Sequence, residues 1–138
     1  MAVAAAKGTS LTIGASAGKK VGHLSSVGSP QVKVDEIEVT ALDNETGWKE
    51  FLASFKDGGE MDLEGFLDME DEGQAAMNEA LESGELQDFA IAFPAAIKAS
   101  WEFKGFVNAF STSAETSDAV KFSATIRVSG QPKLKKTA

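Results

Sequence analysis

The chain has 138 residues, a formal net charge of −8 and no cysteine, which predicts one domain and excludes disulfides, thiolate metal sites and cysteine nucleophiles. The acidic balance argues against a broad basic surface of the kind that holds nucleic acid backbones. No stretch approaches the roughly 18 apolar residues of a membrane span and no export signal is evident, so we expect a soluble protein without a membrane partner.

The N-terminal part of the chain predicts strands. Apolar residues alternate over 9–13, and an extended pattern resumes over 20–27 after a run of small residues, which is typical of a hairpin. A long strand is predicted over 31–40. Its apolar residues change phase in the middle, and a β-bulge near Asp35 would reconcile the two halves.

A long connection, 43–58, then carries four large apolar residues at helical spacing, so that one or two turns of helix would place them on one stripe. Two interpretations stay open. The loop is a flap packed on its own sheet, or it is an intermolecular anchor, because long loops are usually functional and aromatic side chains dominate binding energy. As an anchor, it should be mobile in the free subunit and ordered in an assembly. The four residues are Trp48, Phe51, Leu52 and Phe55.

Residues 59–94 predict a strand, a capped helix and a second strand. Acids alternate with apolar residues over 60–68, which indicates a strand with one buried face. Residues 68–71 supply acids for a helix N-cap, and Gly84 is a C-terminal stop, so the helix has about three turns. A further strand covers 86–93. The apolar stripe of the helix, which should pack on the sheet, is Met77, Ala80 and Leu81.

The C-terminal part predicts two more strands, over 97–110 and 119–129, joined by a polar hairpin loop at 111–118. We therefore expect a mainly β (α+β) domain over 1–132, an antiparallel β-sandwich or barrel with one flanking helix and the inserted loop. The basic segment 133–138 is predicted to be a disordered tail. The buried face of the last strand is predicted to be Val120, Phe122, Ala124, Ile126 and Val128.

Nothing in the sequence favours an enzyme. His23 is the only histidine and has no carboxylate pair near it in the sequence, so a solvent-facing or structural role is expected. The acids form no DxDxDG-type calcium loop, and the glycine pairs lack the residues of a phosphate-binding loop. We expect no catalytic, metal or cofactor-binding site.

Six segments spread over nearly the whole chain carry a resemblance to a known family. They are KGTSLTI (7–13), DEIEVTALD (35–43), FKDGGEMDLEGFLD (55–68), DEGQAAMNEALESG (71–84), FKGFVNAFSTSA (103–114) and FSATIRVSGQP (122–132). In this order they resemble the major tail tube protein of long-tailed, non-contractile bacteriophages. The resemblance implies two antiparallel sheets flanked by one helix, six copies per ring, and rings stacked into a tube through which DNA leaves the virion. The tube protein of type VI secretion is implied as a more distant relative.

The same resemblance implies the partners and the location. The chain is expected to bind other copies of itself, a tape measure protein and a tail terminator, and to assemble in the host bacterial cytoplasm as part of the virion tail. DNA should pass without specific binding, because the chain is acidic. Cationic walls, in contrast, would hold the duplex through many phosphate contacts. Four acids are candidates for the wall of the channel, and an outer, solvent-facing surface is the other interpretation. They are Glu36, Glu38, Asp62 and Glu64.

Two alternatives stay open. One is a tube protein of a phage-derived secretion or gene-transfer particle. The other is a monomeric β-sandwich module that binds a carbohydrate or peptide on an aromatic platform at Trp48 or Trp101. The exposed strand positions favour the tube, because they are mostly acids, lysine and serine instead of aromatics.

Overall fold

The structure is a computed structural model that describes residues 7–14 and 18–136. No helix in this part of the chain is both long and apolar enough to cross a membrane. The described residues form nine strands and one helix. They are β1 (Ser10–Ile13), β2 (Lys19–Val21), β3 (Leu24–Val27), β4 (Lys33–Glu38), β5 (Phe51–Asp57), β6 (Glu60–Phe66), α1 (Glu72–Ser83), β7 (Gln87–Ala92), β8 (Ala99–Ser113) and β9 (Lys121–Lys136).

Seven strands form one antiparallel sheet in the order β2-β1-β7-β8-β9-β6-β3. The sheet curls into a nearly closed barrel, in which β3 comes back close to β1. The remaining strands, β4 and β5, form a separate two-stranded antiparallel sheet. The predicted fold class, antiparallel β with one helix, is confirmed.

The core lies inside the curl. In β6 the apolar positions Met61, Leu63 and Gly65 are buried and the acids between them are exposed, as the two-residue period predicts. The predicted buried face of β9 is also correct, except that Val120 precedes the strand and is half exposed. The buried apolar side chains are Leu11, Ile13, Val21, Met61, Leu63, Met77, Ala80, Phe89, Ile91, Phe103, Val107, Phe122, Ala124, Ile126 and Val128.

The helix closes one side of the barrel. Asp71 caps its N-terminus by accepting a hydrogen bond from a backbone N–H three residues later, and Gly84 ends it with a φ of 68°. Met77 and Ala80 are buried and Leu81 packs partly against the core, so the predicted stripe is confirmed. The helix lies against β1, β2 and β8.

A buried glutamine fastens the start of the helix. Gln74 is fully buried, and its Nε2 donates to the carbonyl oxygens of Gly22 and Phe66, both at 2.9 Å. Its Oε1 accepts from the backbone N–H of Asp68 at 2.8 Å. Because each polar atom of this amide has a partner, the side chain joins the connection after β2 and the end of β6 to α1 without an unpaired buried group.

The structure corrects the prediction for the C-terminal segment. Residues 133–136, predicted as disordered, continue β9 and pair with Ala99 to Glu102 of β8, which supplies a partner that the tail's own composition does not reveal. Residues 137–138 and part of the small-residue run 14–18 lie outside the described residues. The predicted bulge is present, because the register of β4 and β5 shifts between Val34 and Glu36.

Candidate assembly and lumen surfaces

A two-stranded hairpin, residues 32–57, projects from the barrel and is called the arm below. It contains β4, a connection and β5. Apart from Asn44, every residue from 31 to 53 is exposed. Such exposure means that, beyond its root, the arm has no face packed against the rest of the described residues.

The arm carries most of the exposed large apolar side chains. Of the fourteen such side chains in the described residues, nine lie in the arm. Trp48 is 78% exposed and Phe55 is 85% exposed. Monomeric proteins rarely expose apolar surface of this extent, which marks interaction sites. The nine are Val32, Val34, Ile37, Val39, Leu42, Trp48, Phe51, Leu52 and Phe55.

The predicted helical stripe of the arm is wrong. Phe51, Leu52 and Phe55 lie in β5, where Leu52 pairs with Ile37 and Phe51 with Glu38 of β4. Spacing at i, i+3, i+4 and i+7 fits a helix. The segment is a strand instead, because β4 pairs with it. The interpretation as a flap packed on its own sheet is also wrong, because these side chains are exposed. The exposure of the other apolar residues of the arm was not predicted, because their pattern is that of an ordinary strand.

The tip of the arm is held by local hydrogen bonds. The Nδ2 of Asn44 donates to the carbonyl of Trp48 at 2.9 Å, and its Oδ1 accepts from the backbone and hydroxyl of Thr46 at 2.8 and 2.7 Å. The hydroxyl of Thr40 accepts from the N–H of Glu50 at 2.7 Å. These bonds shape the connection that presents Trp48, but they bury no apolar surface.

The root of the arm is joined to the barrel by an ion pair. Nη2 of Arg127 in β9 donates to Oδ2 of Asp57 at 3.0 Å, and the N–H of Gly59 donates to Oδ1 at 2.8 Å. The hydrogen bond from Arg127 is the main reason that the pKa of Asp57 lies below its ordinary value. The same contact raises the pKa of Arg127, so both groups are charged at neutral pH. The two residues are 70 positions apart, so no local sequence pattern predicts this pair.

A crevice of about 810 Å³ lies beside the root. Val32 and Phe55 of the arm line one part of it, and Phe106 and Pro132 of the barrel line another. Together with the ion pair, this geometry shows that the arm contacts the barrel only near its base.

The four acids predicted for the channel do not share one surface. Asp62 and Glu64 lie on the exposed face of β6 in the barrel, whereas Glu36 and Glu38 lie in the arm. The hydroxyl of Thr125 in β9 donates to Oδ1 of Asp62 at 2.8 Å. The structure therefore separates the four acids into two pairs.

The outer side of the barrel around Asp62 is polar, and it is called the polar face below. Acids of β6 lie beside hydroxyl side chains of β8 and β9, and Ser111 and Ser123 are hydrogen-bonded across these strands at 2.8 Å. The residues that define this face are Glu60, Asp62, Glu64, Ser111, Ser123 and Thr125.

The cations that border the polar face are paired. Arg127 binds Asp57, and Nζ of Lys121 lies 2.7 Å from Oδ2 of Asp118. The hydrogen bond with Lys121 lowers the pKa of Asp118, and the pKa of Lys121 is raised in return. A paired cation has less net attraction for a passing phosphate, so the face presents neutral hydroxyls and acids that form no ion pair among the described residues.

The described residues contain no group of three or more histidine, aspartate or glutamate side chains placed to hold a metal ion. His23 lies on the surface with a φ of 60°, and its Nε2 is 3.1 Å from Oδ2 of Asp68. This contact places the histidine beside the segment that enters the helix.

Residues 10–135 match the family model described as lambda phage tail tube protein, TTP. No curated protein sequence gives a match.

Solved structures share the fold at low sequence identity. The virion of a native gene transfer agent particle contains a chain with 12% identity and a TM-score of 0.74, covering 91% of this chain and 95% of that one. The tail of an empty gene transfer agent particle, refined with C6 symmetry, gives 16% identity, a TM-score of 0.72 and coverage of 93% and 96%. The SPP1 tail tube gives 14% identity, a TM-score of 0.70 and coverage of 93% and 76%.

Proposed function

The chain belongs to the lambda phage tail tube protein family, and we propose that its copies close into six-membered rings that stack to form a conduit for DNA delivery. Family membership makes it a structural subunit of a tail tube in a virion. The six-fold count is supported by the C6 symmetry of the gene transfer agent tail with the same fold.

The exposed arm is the main structural support for self-assembly. An isolated two-stranded hairpin is marginally stable in water, and this one exposes nine large apolar side chains. Contact with another copy would bury that apolar surface and would at the same time stabilise the hairpin. A closed ring would also satisfy every copy equally, since each subunit offers one arm and receives one.

The polar face is the best candidate for the wall of the channel. Asp62 and Glu64 supply negative charge there, and the bordering cations are paired. Such a wall lets a duplex slide, because no row of free cations can replace the counterions of the DNA. The other two predicted lumen acids, Glu36 and Glu38, are left out of this proposal because they lie in the arm.

A position in a phage tail implies further partners for this chain. We propose that the tube encloses a tape measure protein, ends at a tail terminator, and is assembled in the cytoplasm of the host bacterium. DNA passes without specific binding. A tube in a phage-derived gene-transfer or secretion particle would use the same subunit contacts, and the gene transfer agent tails share this fold.

The test is the state of the purified chain as its concentration rises. Light scattering should show a sharp onset of polymerisation, and negative-stain microscopy of the same samples should show tubes with a central channel. A monomer that persists at all concentrations and binds a sugar or peptide would instead support the monomeric binding module. Trp101, the second aromatic considered for that module, is partly buried against the core.

A further inference from the structure

We propose that β4 of one copy adds, as an antiparallel strand, to the free edge of β9 at residues 133–136 of a second copy. The inference rests on the proposed self-assembly and names the two surfaces that meet. The segment 133–136, together with 98–102 beside it, is called the basic end below.

Both strands have a free edge. Among the described residues β4 pairs only with β5, so its other edge has no strand partner there. β9 pairs with β6 only as far as Arg127, whose partner is Glu60. Beyond that point the described residues give β9 a ladder with β8 alone. Unpaired strand edges are templates for pairing with another chain.

The charges of the two edges are complementary. The arm holds seven acids and three lysines, a net charge of −4, whereas the basic end holds four lysines and one glutamate, a net charge of +3. The arm of one copy and the basic end of another therefore attract each other. Two arms repel each other, and so do two basic ends.

The side-chain patterns also match residue by residue. In β4 the sequence Glu-Ile-Glu covers 36–38, and in β9 the sequence Lys-Leu-Lys covers 133–135. Ile37 is 51% exposed and Leu134 is 58% exposed, so both apolar side chains are available for contact. Since neighbouring residues of a strand point to opposite faces, pairing the apolar residues places the charged ones opposite each other on the other face.

The antiparallel direction gives the larger number of ion pairs. A parallel arrangement centred on Ile37 and Leu134 would place Asp35 opposite Pro132, whereas the antiparallel one places it opposite Lys136. Proline is tolerated at such an edge but offers no charge. The proposed register is Asp35 opposite Lys136, Glu36 opposite Lys135, Ile37 opposite Leu134 and Glu38 opposite Lys133.

The partner is a second copy because, among the described residues, β4 forms no ladder with residues 133–136 of its own chain. The described contacts between arm and barrel are at the root, where Asp57 meets Arg127 and Gly58 lies close to Val128 and Pro132. Each copy presents one acidic edge and one basic edge, so the contact is heterologous and can repeat around a ring. Lys135 already pairs with Glu102 in β8, and the added strand would give it a second carboxylate.

The absence of cysteine from the chain allows a direct test by cross-linking. Single variants Ile37→Cys and Leu134→Cys, one with a size tag, are mixed, assembled and mildly oxidised. Directly opposite residues lie within reach of a disulfide. We expect tagged-to-untagged dimers several-fold above those from Ile37→Cys mixed with Lys121→Cys, whose cysteine lies on β9 far from the proposed contact.

The two proposals fail differently in this experiment. Tubes without enrichment of the 37–134 disulfide would overturn the strand pairing and leave the tube function intact. Failure of the wild-type chain to form tubes under any condition would overturn the tube function and the pairing with it.

Charge reversal provides an independent test that does not depend on oxidation. Glu36→Lys with Glu38→Lys, and separately Lys133→Glu with Lys135→Glu, should each lower tube yield about tenfold or more, because like charges then oppose each other. An equal mixture of the two variants should recover the yield, since each arm then meets an oppositely charged end. Recovery also shows that both variants fold.

The matched control for the arm variant is Glu79→Lys with Glu82→Lys, which makes the same change of net charge as Glu36→Lys with Glu38→Lys, on exposed positions of α1. It should assemble like the wild type. Normal assembly of either reversed variant alone, or no recovery in the mixture, would contradict the proposed pairing.

Discussion

Arg127 and Asp57 form a 3.0 Å ion pair between β9 and the last residue of the arm. These residues are 70 positions apart in the sequence. The pair lies where the chain leaves the arm and enters β6, so it sets how the arm departs from the barrel. The position of the arm is therefore controlled by a small set of contacts at its root, of which this part-buried ion pair is one, instead of by a packed core.

Removal of this pair should affect assembly more than folding. Asp57→Ala takes away the acceptor of Arg127 and of the Gly59 N–H, so the arm should sample more orientations. We expect slower polymerisation by light scattering and faster amide hydrogen exchange in β4 and β5, with little change in the thermal midpoint of the monomer. Asp118→Ala, which removes the corresponding pair with Lys121, is the control and should not change exchange in the arm.

Acidification should loosen the arm in the same way. Because the pKa of Asp57 is lowered in the folded chain, the folded state binds fewer protons than the unfolded state, and the pair stabilises the root above the ordinary aspartate pKa of about 3.9. That contribution is lost as the pH falls through the lowered pKa. Hydrogen exchange in the arm, corrected for intrinsic rates, should rise below about pH 4 in the wild type and change less in Asp57→Ala. Identical pH profiles would contradict this assignment.

The aromatic residues of the arm should be required for tube growth. Trp48→Ala with Phe51→Ala removes two exposed side chains, so tubes should fail to form or grow much more slowly while the monomer keeps its thermal midpoint. Met69→Ala with Leu86→Ala removes two half-exposed apolar side chains outside the arm and should assemble normally. An unfolded arm variant would mean that these residues stabilise the subunit itself.

The helix should stabilise the barrel through its buried stripe. Met77 is fully buried, so Met77→Ala should lower the free energy of unfolding by about 2–5 kcal/mol in chemical denaturation. Leu81→Ala should lower it less, because Leu81 is only partly buried. Glu79→Ala on the exposed side should stay within about 0.5 kcal/mol of the wild type. A Met77 variant as stable as the Glu79 variant would mean that the helix does not pack as described.

The polar face should control the passage of DNA. Asp62→Lys with Glu64→Lys should leave the fold intact, because both side chains are exposed on β6. Particles with this variant should eject DNA more slowly, and assembled tubes should retain short duplex DNA at low salt but release it at high salt. Glu79→Lys with Glu82→Lys on α1 is the control of equal charge. Unchanged ejection in the β6 variant would place these acids outside the channel.

Local patterns predicted the elements that depend on local physics. The cap at Asp71, the stop at Gly84 and the alternation through β6 are each set by a few neighbouring residues, and all three were predicted. Residues 51–57 and 133–136 were assigned incorrectly because their strand partners, β4 and the start of β8, are distant in the sequence. Composition alone cannot show that a distant strand offers its backbone groups.

The residues of the candidate surfaces were predicted only in part. Trp48 and Phe51 stood out as large apolar residues in a long connection, and the structure places both on the exposed arm. The division of the acids between arm and barrel was not predictable, because alternation identifies an exposed strand face but not the sheet to which it belongs. The ion pair of Asp57 with Arg127 depends on tertiary structure for the same reason.

Cryo-electron microscopy of the assembled wild-type chain would show whether the arm joins the copies, because it locates every arm relative to its neighbours. We expect stacked six-membered rings around an open channel, with each arm buried against another copy and Asp62 and Glu64 facing the channel. Tubes in which the arm extends into solvent without touching another copy would contradict the account.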